Sequence, residues 1–338
     1  MNHIVDNLMK KKRTWKSLLT IIILGLAVHV LLPQIAELKH SLNVIKNMSM
    51  WFVGLAIIMQ ILSYLGSSYM LQSLVKITGQ YITVIKGLII TLASSSIGLI
   101  AGGIIGNAAS TYRWLHTQGV NSEGAFFAGL LPSFFNNAIL ILISFVSVFH
   151  LLILHELSII QIIGFSLTLA ILLAIICIFV WGIYNRPEFT KLISLITHRW
   201  ISFRKRQFNP TTFEENISKF FKAWDMLYKG GWYGPAFGSF LNILFDMMTL
   251  YFLFIAAGHI ISIGVLITGY GLPLLLGKVS FLPGGVGIVE STMAILYIGL
   301  GVPNAVIIVI ILTYRIFSFW IPTLVGFPLA FYLQRKGE

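Results

Sequence analysis

The sequence predicts an all-α, polytopic membrane protein of about eight transmembrane helices, with re-entrant or broken helices in addition. Three observations carry that expectation. Hydrophobic residues make up 57% of the 338 and charged residues only 10%, whereas soluble domains carry about 25% charged residues. The mean hydropathy is +0.89. Several apolar runs reach the roughly 20 residues that cross about 30 Å of hydrocarbon. In lipid the backbone must satisfy its own hydrogen bonds, so such runs form helices. A transmembrane barrel would instead alternate apolar and polar residues in segments of about 10, a pattern this chain lacks.

The first span is expected at 15–32. Lys10, Lys11, Lys12 and Arg13 precede it as in a signal peptide, but Pro33, Gln34 and Ile35 stand where a small-residue cleavage site would be, so it reads as an uncleaved span. Further spans are expected at 50–74, 124–148, 159–184, 233–257, 260–277, 286–302 and 304–333. Between the second and third lies 82–112, apolar at first and then rich in small residues: Ala93, Ser94, Ser95, Ser96, Gly98, Gly102, Gly103 and Gly106. Basic residues decide how it runs, because they accumulate on the cytoplasmic side. Positions 185–230 hold nine Lys/Arg (Arg186, Lys191, Arg199, Arg204, Lys205, Arg206, Lys219, Lys222 and Lys229), while the 149–158 loop has none. A full crossing by 82–112 would place the nine-charge loop outside; a re-entrant hairpin keeps every basic loop inside. The hairpin is therefore preferred, in a multi-pass protein of the cytoplasmic membrane with both termini cytoplasmic.

The chain reads as one integral membrane domain, 1–338, with halves at 15–150 and 159–333. Leu99 to Ile104 (Leu-Ile-Ala-Gly-Gly-Ile) echoes Phe281 to Val286 (Phe-Leu-Pro-Gly-Gly-Val), and interrupted helices in matching halves are how many transporters build a midplane site. Within the basic loop, Thr212 and Glu215 make a capping-box pair. Ile217, Phe220, Phe221, Trp224, Leu227 and Tyr228 follow at helical spacing, predicting an amphipathic helix at headgroup level or packed under the bundle. The net charge of +12 sits beside apolar spans and not on a polar domain, so nucleic acid is not an expected partner. The single cysteine, Cys177, excludes a disulfide framework or thiolate cluster, and neither a metal nor any cofactor is expected.

Most charges belong to loops, so the remainder carry the functional question. Asp246, Glu290 and Arg315 stand within apolar spans; Arg113 and Lys278 stand at the edges of unusual segments. An ionisable group in the membrane is costly unless paired or hydrated, and is a functional candidate by default. Glu290 lies 13 residues before Pro303 and Arg315 lies 12 after it. At 1.5 Å per residue both are about 18 to 20 Å from the turn at Gly301 to Pro303. A pair is predicted, either a structural clamp or two partners to one anionic headgroup. Just ahead of Glu290, Pro283, Gly284, Gly285 and Gly287 break the helix, so that free N–H groups at the next helix start could attract phosphate. A plain tight turn is the alternative.

Leu282-Pro-Gly-Gly-Val-Gly-Ile-Val-Glu290, then Gly301-Val-Pro303, Tyr314-Arg315 and Pro322 resemble the C-terminal signature of the lysylphosphatidylglycerol synthase transmembrane, or flippase-like, family. Arg113 to Gly119, followed by Ala125 and Phe126, is similar to its first-half element. The resemblance covers most of the chain, strongly at 280–330. It departs at Asn136 and Asn137, where the family commonly has charges, and at Ala101, where the first glycine motif lacks proline. With five residues after the last span, a stand-alone member without the synthase domain is expected.

What the resemblance implies is translocation of a phosphate-containing lipid, with a phospholipid or polyprenyl-phosphate headgroup as partner. The expected substrate-binding residues are Arg113, Asp246, Pro283, Gly284, Gly285, Gly287, Glu290, Tyr314 and Arg315, with Gly102, Gly103, Asn107, Asn136, Asn137 and Lys278 as further candidates. A membrane enzyme acting on a lipid-linked substrate is the alternative, although two acids well apart in sequence are a sparse beginning for metal-assisted transfer. A scaffold for a lipid-modifying enzyme is a third reading, and a homo-oligomer is compatible with any of them.

Overall fold

The structure, a computed structural model, describes residues 38–100, 103–154, 184–203, 227–279 and 282–336, with scattered residues between 166 and 182 and between 214 and 225. The expected spans at 15–32 and, for most of its length, 159–184 lie outside the described residues, as do Gly102, Thr212 and Glu215.

The described elements are helical. They are α1 (Leu38–Asn47), α2 (Met50–Ile77), α3 (Val84–Ile100), α4 (Ile104–Thr117), α5 (Ser122–Leu154), α6 (Arg186–Phe203), α7 (Tyr233–Ala256), α8 (Ile263–Val279), α9 (Ile288–Gly299), α10 (Asn304–Arg315) and α11 (Ile321–Lys336). A π turn, Leu227–Gly231, precedes α7, a 3-10 turn, Pro283–Gly285, precedes α9, and a second π turn, Ile316–Trp320, joins α10 to α11. Among the described residues, four stretches are long and apolar enough to cross a membrane: Met50–Ile77, Ser122–Ile153, Tyr233–Ala256 and Asn304–Arg335. This is an all-α membrane protein.

The most extensive helix pair is α2 with α7, running antiparallel. Glycines make the approach possible. A Cβ on Gly66 would fall 2.6 Å from the Asn242 nitrogen, and one on Gly238 would fall 2.6 Å from the Met70 nitrogen. Small residues of this kind let helix backbones close in lipid, where apolar burial between helices drives little. Polar atoms then lock the contact: Ser63 Oγ donates to the Asn242 carbonyl at 2.9 Å, and Asn242 Nδ2 donates to Ser63 Oγ at 2.9 Å.

Around that pair the described elements repeat. A long helix, a broken helical hairpin and a second long helix occur as α2, α3–α4 and α5, and again as α7, α8–α9 and α10–α11. Element starts at 233, 263, 288 and 304 follow those at 50, 84, 104 and 122 by 179 to 184 residues. The halves also exchange partners: α11 packs on the first hairpin through α3, and α5 packs on the second through α8. Ser96 Oγ donates to the Thr323 carbonyl at 2.8 Å in one exchange, and Ser147 Oγ to the Ile267 carbonyl at 3.0 Å in the other.

The expected hairpin at 82–112 takes shape as α3 and α4, which turn at Gly103 with φ +67° and are tied by Thr111 Oγ1 to Ser94 Oγ at 2.8 Å. The spans expected at 260–277 and 286–302 prove to be a second hairpin. Its α9 has 12 residues, about 18 Å at 1.5 Å per residue, too short to cross about 30 Å. Of the helix expected in the basic loop, Trp224 meets the Phe134 ring edge-on at 5.9 Å and Leu227 is buried, while Tyr228 is exposed. Arg186 pairs with Asp225, whose carboxylate raises the guanidinium further above its usual range.

Candidate functional site

The second hairpin, α7 and α10 bring the intramembrane charges together. Gly284, Gly285 and Gly287 all have positive φ (+65°, +64° and +87°), which carries the chain from the 3-10 turn into α9 without the Cβ strain another residue would meet. Glu290 stands in the first turn of α9, and its Oε2 accepts the Gly287 N–H at 2.6 Å. The acid thereby caps its own helix. Its other oxygen, Oε1, accepts from Arg315 Nε at 2.5 Å, with side chains 6% (Arg315) and 17% (Glu290) exposed.

Arg315 closes the last turn of α10. Its Nη2 donates to the Gly284 carbonyl at 2.9 Å, and its guanidinium carbon lies 4.4 Å over the Phe319 ring. The π turn Ile316–Trp320 that begins beside it makes this arrangement possible, since widening the helix by one residue re-aims the following side chains. Tyr64 reaches from α2 to the carbonyl of Ser318 within that turn at 2.9 Å. The side chain of Tyr314 points instead at α7, where its hydroxyl donates to Asp246 Oδ2 at 2.6 Å. Tyr270 of α8 donates to the same oxygen at 2.8 Å, and Gln60 Nε2 of α2 donates to Oδ1 at 3.0 Å.

Of the candidates read from sequence, Asp246, Gly284, Gly287, Glu290, Tyr314 and Arg315 form this connected cluster, and Pro283 and Gly285 form the turn that shapes it. Lys278, exposed at the end of α8, donates to Asn137 Oδ1 of α5 at 2.9 Å. Asn136 Oδ1 accepts from Ser239 Oγ at 2.5 Å. Two candidates stand differently from the rest. Arg113 stands on the exposed side of α4 and makes none of the cluster's hydrogen bonds. At the glycine motif two of the N–H groups are taken within the protein, that of Gly287 by Glu290 and that of Gly285 by the Leu282 carbonyl at 3.0 Å, while the Phe319 ring lies where a Cβ on Gly284 would go. Gly103 and Asn107 belong to the first hairpin, where the Asn107 N–H donates to the Gly103 carbonyl at 3.0 Å.

A family model of the lysylphosphatidylglycerol synthase transmembrane region matches residues 18–326. The chain belongs to that family. A UPF0104 membrane protein of Methanocaldococcus jannaschii is 23% identical over 343 aligned positions, covering 97% of this chain and 98% of the relative. A UPF0104 membrane protein of Methanothermobacter thermautotrophicus is 40% identical over 88 positions, 26% of each chain. One of Pyrococcus horikoshii is 32% identical over 81 positions, 24% of each. A lipid-related membrane role is compatible with this membership.

In this member of the family, Gln60, Tyr64, Tyr270 and Phe319 are parts of the cluster that the sequence does not single out. Each is an aromatic or amide side chain inside an apolar run, where neither charge nor periodicity marks it. The signal that could have found Phe319 is its place four residues beyond Arg315, on the same helical face. Cavities of about 480 Å³, beside Arg186, Phe221 and Asp225, and of about 250 Å³, beside His259, Gly301 and Pro303, are lined by none of the cluster.

Proposed function

We propose that this protein moves a phosphate-bearing lipid headgroup across the cytoplasmic membrane, and that Arg315 receives the phosphate. The buried Glu290–Arg315 pair carries the reading. A guanidinium offers a planar fork of donors that fits phosphate as well as carboxylate, so an anionic headgroup can take the place Glu290 holds. Gly284 and Phe319 keep the fork aimed during that exchange, and a displaced Glu290 can recognise a headgroup amine. The exchange is close to balanced: one charge-assisted partner replaces another, and neither ion is left bare in a medium where that costs several kcal/mol. The closed pair is thus a resting state, which a headgroup opens. Lys278 and Asn137 add a donor-rich edge between α5 and α8, and Asp246 sets the local charge.

The repeat supports the same reading. With the spans expected from sequence at 15–32 and 159–184 added to the four described stretches, six crossings and two re-entrant hairpins agree with a basic loop and termini on the cytoplasmic side, the first hairpin entering from the cytoplasm and the second from outside. Inverted repeats of this kind hold substrate near the midplane where the halves meet. Headgroup exposure in proteoliposomes tests the proposal: Arg315→Ala abolishes transfer and Glu290→Gln slows it. Unchanged transfer in both removes the site.

A further inference from the structure

Asp246 is an acid for which the headgroup site supplies no direct ion pair. Its carboxylate is held by three side chains from three helices, Gln60 Nε2 at 3.0 Å, Tyr270 OH at 2.8 Å and Tyr314 OH at 2.6 Å. None of these is a backbone N–H or a cation. Each can present a donor or an acceptor, because a hydroxyl rotates and an amide turns end for end. The cage therefore suits the ionised acid and the protonated acid alike.

A second, independent feature points the same way. Gln60 is 6% exposed, and its Oε1 has no hydrogen-bond partner. A buried acceptor without a donor is unfavourable. Half a turn of this amide brings Oε1 to the place of Nε2, against Asp246 Oδ1, where it accepts from a carboxylic O–H, so that one end of the amide stays bonded to Asp246 in either protonation state. The position is also the hub of the fold, since Gln60 and Asp246 face each other across the α2–α7 contact shared by the two halves.

The groups facing Asp246 fix what a proton would do. Tyr270 of α8 and Tyr314 of α10 touch its carboxylate, Tyr64 of α2 and Arg315 of α10 lie close enough to act on it through charge, and Lys278 stands further off, exposed at the end of α8. From α5 the polar residues that bond to α7 and α8 are Asn136, through Ser239, and Asn137, through Lys278, and neither amide titrates. Arg315 pairs with Glu290, so the charge left over is that of Asp246, and one added proton removes the repulsion it would exert on a phosphate monoanion.

We propose that Asp246 is a proton-binding site linked to headgroup binding, with Gln60 as acceptor for the acid form, so that a proton and an anionic headgroup bind together. The inference rests on the headgroup reading above for its coupling, though not for the proton site itself. By linkage, headgroup affinity falls roughly tenfold per pH unit where Asp246 titrates.

Infrared difference spectra of the full chain in phosphatidylcholine vesicles test the proton site without any headgroup ligand. Acidification brings up a protonated-carboxyl band in the wild type, in Na⁺ or K⁺ alike. Glu290→Gln keeps that band, Asp246→Asn loses it, and Asp246→Glu moves it. A band unchanged in Asp246→Asn or Asp246→Glu, or one that follows Na⁺ in place of pH, overturns the proposal. Binding of dioctanoyl phosphatidylglycerol, read by tryptophan fluorescence, tests the coupling: it weakens with rising pH in the wild type and loses that dependence in Asp246→Asn. Binding independent of pH in the wild type overturns the coupling. Failure of the headgroup reading is separate, showing as Arg315→Ala that binds the probe as the wild type does.

Discussion

Replacing Glu290 by alanine strands the Arg315 guanidinium. With side chains 6% and 17% exposed, the pair is shielded from solvent, so the screening that makes surface pairs weak does not apply. Breaking a buried pair by removing one partner costs about 3 to 5 kcal/mol, since the other charge is left uncompensated. The Gly287 N–H also loses its acceptor, and losing a cap adds about 1 kcal/mol. The loss is therefore about 4 to 6 kcal/mol in all, read as the free energy of unfolding in mixed micelles titrated with dodecyl sulfate. The double variant Glu290→Gln with Arg315→Met removes both charges and recovers most of that loss, because no buried charge is then left without its partner. A cost below about 1 kcal/mol for Glu290→Ala, the value of an exposed pair, refutes the reasoning. So does strict additivity of the two changes, which would mean that the groups do not interact.

Tyr314→Phe removes the 2.6 Å donor to Asp246, and a hydrogen bond to a charged group is worth about 1.5 to 3 kcal/mol, so the same titration should show a loss of that size. Phe319→Ala takes away the ring 4.4 Å from the guanidinium; about 0.5 to 2 kcal/mol of stability goes with it, and Arg315 becomes more reactive towards phenylglyoxal. Gly66→Val puts a side chain where Asn242 backbone already lies, and purified protein should lose its monodisperse elution peak. Gly54→Ala, with nothing within 4 Å of the new Cβ, elutes as the wild type does.

The parts of this fold legible in sequence are those where lipid makes one residue type conspicuous. Glu290 and Arg315 stand out because apolar runs surround them, and one tight turn relates their depths through the helical rise. The first hairpin is legible because a full crossing by 82–112 would put the nine basic residues of 185–230 on the wrong side of the membrane. The second hairpin escapes because α8, 17 residues long and largely apolar, looks like a span in its own right and no basic loop argues against a crossing there. The cage of Asp246 escapes for another reason. Gln60 lies 186 residues away and Tyr314 lies 68 away, so only the packing of α2, α7 and α10 brings them together. Free N–H groups were expected at the glycine motif because sequence shows where a helix starts, and not which side chain turns back to cap it.

Retention of lipid by the purified protein bears most directly on the proposed role of Arg315. Mass spectrometry of lipids carried through purification should find one phosphate-bearing class bound in stoichiometric amount to the wild type and absent from Arg315→Ala. Equal retention of that lipid by both proteins would contradict a phosphate site at this guanidinium.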